Sequence, residues 1–524
     1  MANKKLFPSF LSRFFQTDTV NEEGAPAYRY SPKHMLAQYA CTGCLNDTFY
    51  VSADEQLQGV LKLCAALEPD FIARTAVYAA KSGYMKDLPA LLCAALAVKD
   101  VEMLKKVFPV VIDNFKMVRN FIQIIRSGAV GRKSLGYAPK NLIRQWFART
   151  PEKTLFNSAT GNDPSMKDVI KMVHPKPDSE TRSALYAYMA DLKHDAEKLP
   201  EFLRLFEEFK KAENKEAWTE LPDVHFQYYT GLTDLPDSVW KHIARTASWQ
   251  TTRMNLNTFF RHGVLEDPQM VTLLAERLKD KEIIRKSRVF PYQLLMAYRA
   301  AQEEMPREII DALHVALEAA TENVPVIDGR VAVFPDTSGS MSSPVTGYRG
   351  SVTTKVSCVE VAALVTACIL RKNPDAIIMP FDTEVRHVKL EPRDSIMTNA
   401  EKLALHGGGT ACSAPLAKMN REKKNADVVI YISDNESWFD SPYNDSTETM
   451  NQWRIFKKRN PKAKLICIDI TPGQSTQAKE TEDVTNVGGF SDQVFSLIAE
   501  ISRGAEKDFW VKKIEETPLD FSRG

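Results

Sequence analysis

Cysteine is scarce in this chain: eight are spread over 524 residues. Most sit inside apolar runs such as LKLCAAL and LICIDI, where a thiol behaves as a small hydrophobe. Cys41 and Cys44 form a single CxxC with no second pair behind it, which points to a structural role rather than to metal or redox chemistry. The pattern is that of a reduced, intracellular protein, and a cytoplasmic location is expected. Nowhere is there a run of about 20 apolar residues, so no membrane span is expected. The opening MANKKLFPSFLSRFF is interrupted by Pro8 and Arg13 and lacks the apolar core of a signal peptide, about 7–15 residues. Net charge is also nearly absent. Lysine and arginine number 68 against 67 acidic residues, giving +1. The molecule as a whole is therefore no general polyanion binder, and charge has to be read region by region.

What remains is an ordinary globular composition, 44% hydrophobic and 26% charged, long enough for two or three domains. Residues 1–30 read as a mobile leader. From 31 to 323 the apolar spacing is helical, as in EQLQGVLKLCAAL, DFIARTAVYAAKSG, DLPALLCAALAV and VEMLKKVFPVVIDNF. Helices of this length separated by short Pro, Gly or Asp breaks suggest an all-α helical-repeat solenoid, with an irregular bundle as the alternative. No strict period is visible, so the repeats are degenerate.

The texture changes near Val324. RVAVFP, DAIIMPF, DVVIYIS and KLICIDI are short and β-branched, as buried parallel strands are. VSCVEVAALVTACILRK between the first two is an amphipathic helix, and helices also fit 413–423 and 447–459. Strand alternating with helix predicts a doubly wound α/β domain over 324–503. EVRHVKLE fits an antiparallel edge strand. Residues 504–524 read as a tail that packs back on the helical part.

Three segments of the second domain fall at predicted strand ends or before a helix, where open α/β sheets bind ligands. They are DTSGS, GGGT and SDNES. Together they offer Asp336, Ser338, Ser340, Thr410 and Asp434, all hard oxygen donors, which suits Mg²⁺ or a similar divalent ion. HGGGTACS has no lysine where a P-loop needs one, and PDTSGSM does not supply the GxSxG of a nucleophile elbow. An aspartyl-phosphate enzyme using Asp336 would want a second acid at the position Ser338 occupies. Alone, DxSxS also fits a simple helix cap. His406 reads as a loop residue. The set is similar to the metal-ion-dependent adhesion site of von Willebrand factor A domains. That resemblance implies binding rather than catalysis, with an acidic protein ligand completing the shell.

Between Lys116 and Arg149 no Asp or Glu occurs, while Lys116, Arg119, Arg126, Arg132, Lys133, Lys140, Arg144 and Arg149 are all basic. A charge run of this kind is often a mere solvated face, but an unneutralised single-sign field also attracts polyphosphate. Tyr137 and Trp146 are candidates for base stacking or for the core. Further basic groups are Arg253, Arg261 and His262 in TTRMNLNTFFRHG, and Arg285, Lys286 and Arg288 in RKSRVFPYQLL. Asn255 and Asn257 fit either base edges or turn caps.

MLAQYACTGCLNDTFYVS, DVIKMVHPKP, KEIIRKSRVFPYQLLMAYRA and the three metal loops together resemble the TROVE-domain proteins of the Ro autoantigen family, bacterial orthologues included. The likeness runs from about 30 to 500. It implies a HEAT-like ring of helices followed by a von Willebrand factor A-like domain. It further implies a non-enzymatic scaffold that binds Y-like small non-coding RNA on its outside and single-stranded 3′ ends of misfolded RNA in its hole. Linked roles are RNA quality control, decay and stress response, with an exoribonuclease such as polynucleotide phosphorylase as partner. His174 and Lys176 fall in the matched MVHPKP segment, where the family places Y-RNA contacts. NSATGNDPSMKD just upstream is poorer in lysine and arginine than its animal counterpart. A metal-dependent docking scaffold without RNA is the rival expectation, and a metal-assisted phosphatase using Asp336 a more distant one.

Overall fold

The computed structural model describes residues 16–520, apart from 219, 233–234, 288, 290, 302–303, 349–355, 406, 437–445, 491–492 and 505. The chain separates into two compact units. One comprises residues 1–88, 284–299 and 314–517; the other comprises 89–283, 300–313 and 518–524. Among the described residues no helix is long and apolar enough to cross a membrane.

The first unit is built on a parallel sheet. Its strands are β3 (Val331–Pro335), β4 (Ile377–Ile378), β5 (Val428–Ser433), β6 (Lys464–Asp469) and β8 (Val484–Gly488), in the order β4-β3-β5-β6-β8. The β-branched runs put β3 and β5 wholly inside, every residue buried. Burying each such aliphatic side chain contributes roughly 2 kcal/mol. Helix Cys358–Lys372 crosses from β3 to β4, opened by a Ser357/Glu360 capping box, and Glu448–Arg459 crosses from β5 to β6. Strand order reverses beside β3, so the loops after β3 and β5 meet at the switch point of the sheet.

Three features depart from the sequence reading. The VTNVG segment forms β8, a fifth parallel strand whose polar alternation hid it. EVRHVKLE forms no edge strand; only an isolated Phe381–Val385 bridge marks the place, and the pairing ends where Arg386 turns to Asp382. Of the residues read as a leader, 1–15 lie outside the described residues, and those from Thr19 to Arg29 contribute two strands. β1 (Thr19–Val20) pairs with β2 (Pro26–Arg29), and β2 pairs with β7 (Ser475–Thr476). Tyr28 joins the aromatic core of Phe334, Phe381, Tyr431 and Trp453, which is why these residues cannot float. Helix Pro32–Thr42 packs on β8 and on helix Phe509–Glu515, so the C-terminal tail closes on the first helices of the chain.

The second unit is helical. Helix Val101–Val111 packs on Tyr137–Arg149, which packs on Met166–Val173. In parallel, Phe115–Ser127 packs on Glu152–Ser158, which packs on Glu180–Met189. Each helix thus rests on the second one along the chain, which is the two-row stacking of a solenoid and not of a bundle.

Candidate metal centre and nucleic-acid interface

The β3 strand ends at Pro335, and the chain turns at once. Asp336 accepts at Oδ1 from the Ser338 backbone N–H at 2.8 Å and at Oδ2 from the Ser433 hydroxyl at 2.6 Å. This aims the carboxylate across the switch point. Ser338 Oγ and Ser340 Oγ lie 3.3 Å apart on the same turn. Asp434, the first residue past β5, is hydrogen-bonded to the Ser340 side chain. The loop carrying Thr410 is docked on this turn by Gly339 N–H to Gly408 carbonyl and Gly407 N–H to Thr337 carbonyl, both 3.1 Å. Gly408 sits at φ +57°, and a Cβ there would meet Asp382 Oδ2 at 3.0 Å, so glycine alone fits. All five residues chosen from the sequence are buried: Asp336, Ser338, Ser340, Thr410 and Asp434.

Burial raises the Asp336 carboxyl, and the charge of Asp434 raises it further. Asp434 is raised by its own burial, opposed by the Ser340 hydrogen bond. None of the ion pairs among the described residues involves either one. Among the described residues no three His, Cys, Asp or Glu side chains converge. Two buried carboxylates with three hydroxyls form a hard, doubly negative donor set, and a divalent cation is the partner that offsets their burial. The residues therefore fit Mg²⁺, which would serve there as an electrostatic anchor for further oxygen ligands. Two neighbours escaped the motif. Ser433 orients Asp336, and the Tyr50 hydroxyl is hydrogen-bonded to Ser340 from a loop nearly 300 residues away in sequence. No local signal marks either.

The basic run occupies helices Phe115–Ser127 and Tyr137–Arg149 and the loop between them. Its arginines are mostly engaged. Arg119 donates to the Thr160 carbonyl. Arg132 donates to the carbonyls of Ala97, Ser134 and Leu135. Arg144 donates to Val173, and Arg149 to Pro109 and Ile112. Ala97, Val173, Pro109 and Ile112 lie in or just beyond the last turns of three other helices. A guanidinium fork there satisfies orphan carbonyls and faces the negative end of the helix dipole. Arg182, which the sequence did not single out, does the same while buried, donating to Phe147, Ala148 and Thr150 and pairing with Glu152.

Lys116, Arg126 and Lys133 are exposed and Lys140 is half-buried. No acidic partner is recorded for them among the described residues. Tyr137 stands 79% exposed at the start of its helix, whereas Trp146 is buried against Phe115 and Phe147. Trp146 is a core residue and is withdrawn as a stacking candidate. His174 is exposed in a left-handed conformation at the end of helix Met166–Val173, beside the carbonyl that Arg144 caps, and Lys176 is exposed next to it. Arg253 lies over the Trp249 ring and Arg261 bonds back to its own helix, while His262 stacks on Trp240. Asn255 donates to the Thr251 carbonyl at the end of helix Trp249–Met254, as a cap does, whereas Asn257 donates to the distant Ala300 carbonyl and ties two segments together. Arg285 and Lys286 are exposed on helix Lys281–Ser287; Arg288 and His406 lie outside the described residues. Cys41 is buried, its thiol pushed up to about 12 by desolvation, as befits a structural CxxC residue.

Residues 330–502 match the family model described as the Ro60 vWA domain. A protein named RNA-binding protein RO60 from Deinococcus radiodurans is 28% identical over 361 residues, 65% of this chain and 66% of that protein. Another of the same name from Caenorhabditis elegans is 26% identical over 183 residues, 33% of this chain and 28% of that protein. The matched segments thus span just under two thirds of the first relative and less than a third of the second. The crystal structure of the Deinococcus radiodurans Ro (Rsr) protein superposes with a TM-score of 0.62 at 21% identity, covering 90% of this chain and 99% of that one. The fold is shared over nearly that whole length, and within it residues 330–502 are the part that is similar to the Ro60 vWA domain.

Proposed function

We propose that the chain is an Ro-type RNA-binding scaffold and not an enzyme. The observation that carries this reading is the stretch from 116 to 149, where an unneutralised set of cations remains after the capping arginines are set aside. The relatives' shared name points the same way. Lys116, Arg126, Lys133 and Lys140 hold phosphates, Tyr137 stacks on a base, and His174 with Lys176 extends the surface toward a structured RNA. Arg119, Arg132 and Arg144 add long-range positive charge while their guanidinium groups hold the helices. Arg253 and Arg261 make one further basic group of the same role, and Arg285, Lys286 and Arg288 another, each read from the sequence.

The ligands are Y-like non-coding RNA and the single-stranded 3′ ends of misfolded RNA, and the role is RNA quality control, decay or stress response. An exoribonuclease of the polynucleotide phosphorylase kind is the expected protein partner, in the cytoplasm. The A domain holds Mg²⁺ through Asp336, Ser338, Ser340, Thr410 and Asp434. Protein purified without nuclease should carry absorbance at 260 nm and bind a labelled RNA hairpin with a free 3′ tail in a salt-dependent manner. Nucleic-acid-free protein that ignores both hairpin and tail at low salt points instead to a docking scaffold without RNA.

A further inference from the structure

A second gathering of cations lies in the α/β unit. Residues 418–424 and 454–464 hold ten lysines and arginines between them and a single acid, Glu422. The fold joins the two stretches. Helix Ala414–Arg421 packs on helix Glu448–Arg459. Arg459 fastens their ends, donating to the Met419 and Lys424 carbonyls and to Asn420 Oδ1 at 2.9 Å. Asn420 in turn donates to the carbonyl and the side chain of Gln452, both at 2.9 Å. Lys457 reaches the Pro461 carbonyl at 2.6 Å and the Ala463 carbonyl at 3.0 Å, which fixes the turn that carries Lys462.

Both helices end where a strand begins. Their following loops lead into Val428 of β5 and Lys464 of β6, which are register partners. The metal loops leave the other ends of these parallel strands. Six residues of β5 put the two places about 20 Å apart.

Lysine and arginine in a last helical turn complement the dipole, which accounts for Lys457 and Arg459. It does not account for Lys423 and Lys462, which stand in the loops beyond. Arg421, Lys423, Lys458 and Lys462 are all exposed, and none of the ion pairs among the described residues involves them. The acids nearby are engaged. Glu422 pairs with Lys424 and Asp427 with Arg330, both at 3.0 Å, and Asp483 pairs with Lys457 at 3.2 Å. Glu482 gives its carbonyl to Lys464.

Such a surface fits a polyanion, and its side chains narrow the class. Trp453 and Phe456 are buried, with Lys457 and Arg459 lying over their rings. No exposed aromatic ring of these two segments is available to stack on an unpaired base. Paired strands need none, because their bases are already stacked and their phosphates face outward. An acidic protein would want an apolar centre to its contact. Ile455, 47% exposed, is the one large apolar side chain these segments offer.

We propose that this face of the α/β unit is a second RNA surface, one that grips the phosphate backbone of double-stranded RNA without reading its sequence. It shares no residue with the run at 116–149 or with the metal loops. It rests on the RNA-binding reading above only for the choice of RNA among polyanions.

The test uses the full chain and two labelled probes, a blunt RNA duplex of about 20 base pairs and a single strand of the same length. Arg421, Lys423, Lys458 and Lys462 are replaced together by glutamine. For the duplex, the slope of log K against log salt should fall by about 0.9 per lost contact, between 3 and 4 units in all. Duplex affinity at about 100 mM salt should drop more than tenfold, while single-strand affinity stays within about threefold. The melt should not move, since all four side chains are exposed; Arg459→Gln, which unfastens the two helices, should lower it. A glutamine variant that keeps the wild-type duplex slope overturns the proposal, as does an equal loss on both probes. Wild type that ignores the duplex at low salt overturns it as well, and the single strand in the same assay shows whether the RNA-scaffold reading stands. If wild type instead binds polyglutamate or phosphatidylserine vesicles, and the variant loses that binding but not the duplex, the face belongs to an acidic protein or a membrane and the proposal falls.

Discussion

Consider Lys116, Arg126, Lys133 and Lys140 replaced together by alanine, set beside the single change Arg132→Ala. The four cations have no acidic partner recorded among the described residues, and three of them are exposed. If each meets one phosphate of a single strand, their loss removes about 0.7 per contact from the slope of log K against log salt, close to 3 units in all. Between about 50 and 200 mM salt, the affinity gap between wild type and the fourfold variant then narrows by about fiftyfold. Thermal stability should hardly move, since exposed side chains rarely contribute more than about 0.5 kcal/mol. Arg132→Ala should do the reverse. It strips charge-assisted hydrogen bonds from three carbonyls, including Ala97 at the end of another helix. Discounted for the half-exposure of the guanidinium, that loss is about 1–2 kcal/mol, with a slope change under about one unit. Fluorescence anisotropy across a salt series and thermal melts measure both. A fourfold variant with the wild-type slope, or an Arg132→Ala protein of wild-type stability and altered slope, would refute the division of labour.

Three further outcomes follow from the same geometry. Mg²⁺ at a hundred times its Kd should raise the melting temperature of the wild type, a gain of about 2.7 kcal/mol; Asp434→Asn should lose that gain yet melt higher than wild type in chelator, because the repulsion on Asp336 is gone. Tyr137→Ala should weaken binding of a single-stranded tail by about 1–2 kcal/mol with an unchanged melt, since the ring is 79% exposed; an unchanged affinity removes it from the interface. Burial pushes Glu480 up to about 8 from its ordinary 4.5. Its folded value exceeds its unfolded one, so its contribution is full below pH 4.5 and is lost as pH rises to about 8. Glu480→Gln should therefore gain on wild type by up to about 1.4 kcal/mol per unit across that window, and a pH-independent gap in denaturant melts would contradict it.

The parts of this fold that were legible in the sequence are those in which a repeating pattern meets a single environment. Val331–Pro335 and Val428–Ser433 are buried on both faces, and their unbroken apolar runs say so. The oxygen-rich turn of Asp336, Ser338 and Ser340 was legible because a turn that converges oxygens needs short side chains at alternate positions. β8 was not, because VTNVG buries polar residues such as Asn486, whose partners Thr476 and Glu480 stand in the irregular segment just before it and carry no periodic signal. The N-terminal hairpin was missed for a related reason. Two-residue and four-residue strands carry no periodicity, and Tyr28 and Tyr30 owe their burial to Ser446 and Asp469, more than 400 residues away.

The basic run holds a subtler lesson, because sequence reading treated its arginines and lysines as one class. The molecule separates them. Arg119, Arg132, Arg144 and Arg149 all give donors to carbonyls, several at the ends of other helices. Lysine has no fork to do this with, since an ammonium is a compact, strongly hydrated point charge. Lys133 instead lays its stem across Gly128, whose φ of +87° and missing Cβ make room for it, and leaves its charge in solvent. A stacked array of short helices exposes many orphan carbonyls, so it recruits arginine whether or not it binds nucleic acid. Arginine density along such a chain therefore overstates the phosphate-binding surface. The lysines, with Arg126, carry the more specific signal. On this reasoning Arg126→Lys should leave RNA affinity nearly intact, while Arg144→Lys should lower the melting temperature by exposing the Val173 carbonyl to an imperfect donor. Equal tolerance of lysine at both positions would show that the capping geometry does not govern which cations are free to bind.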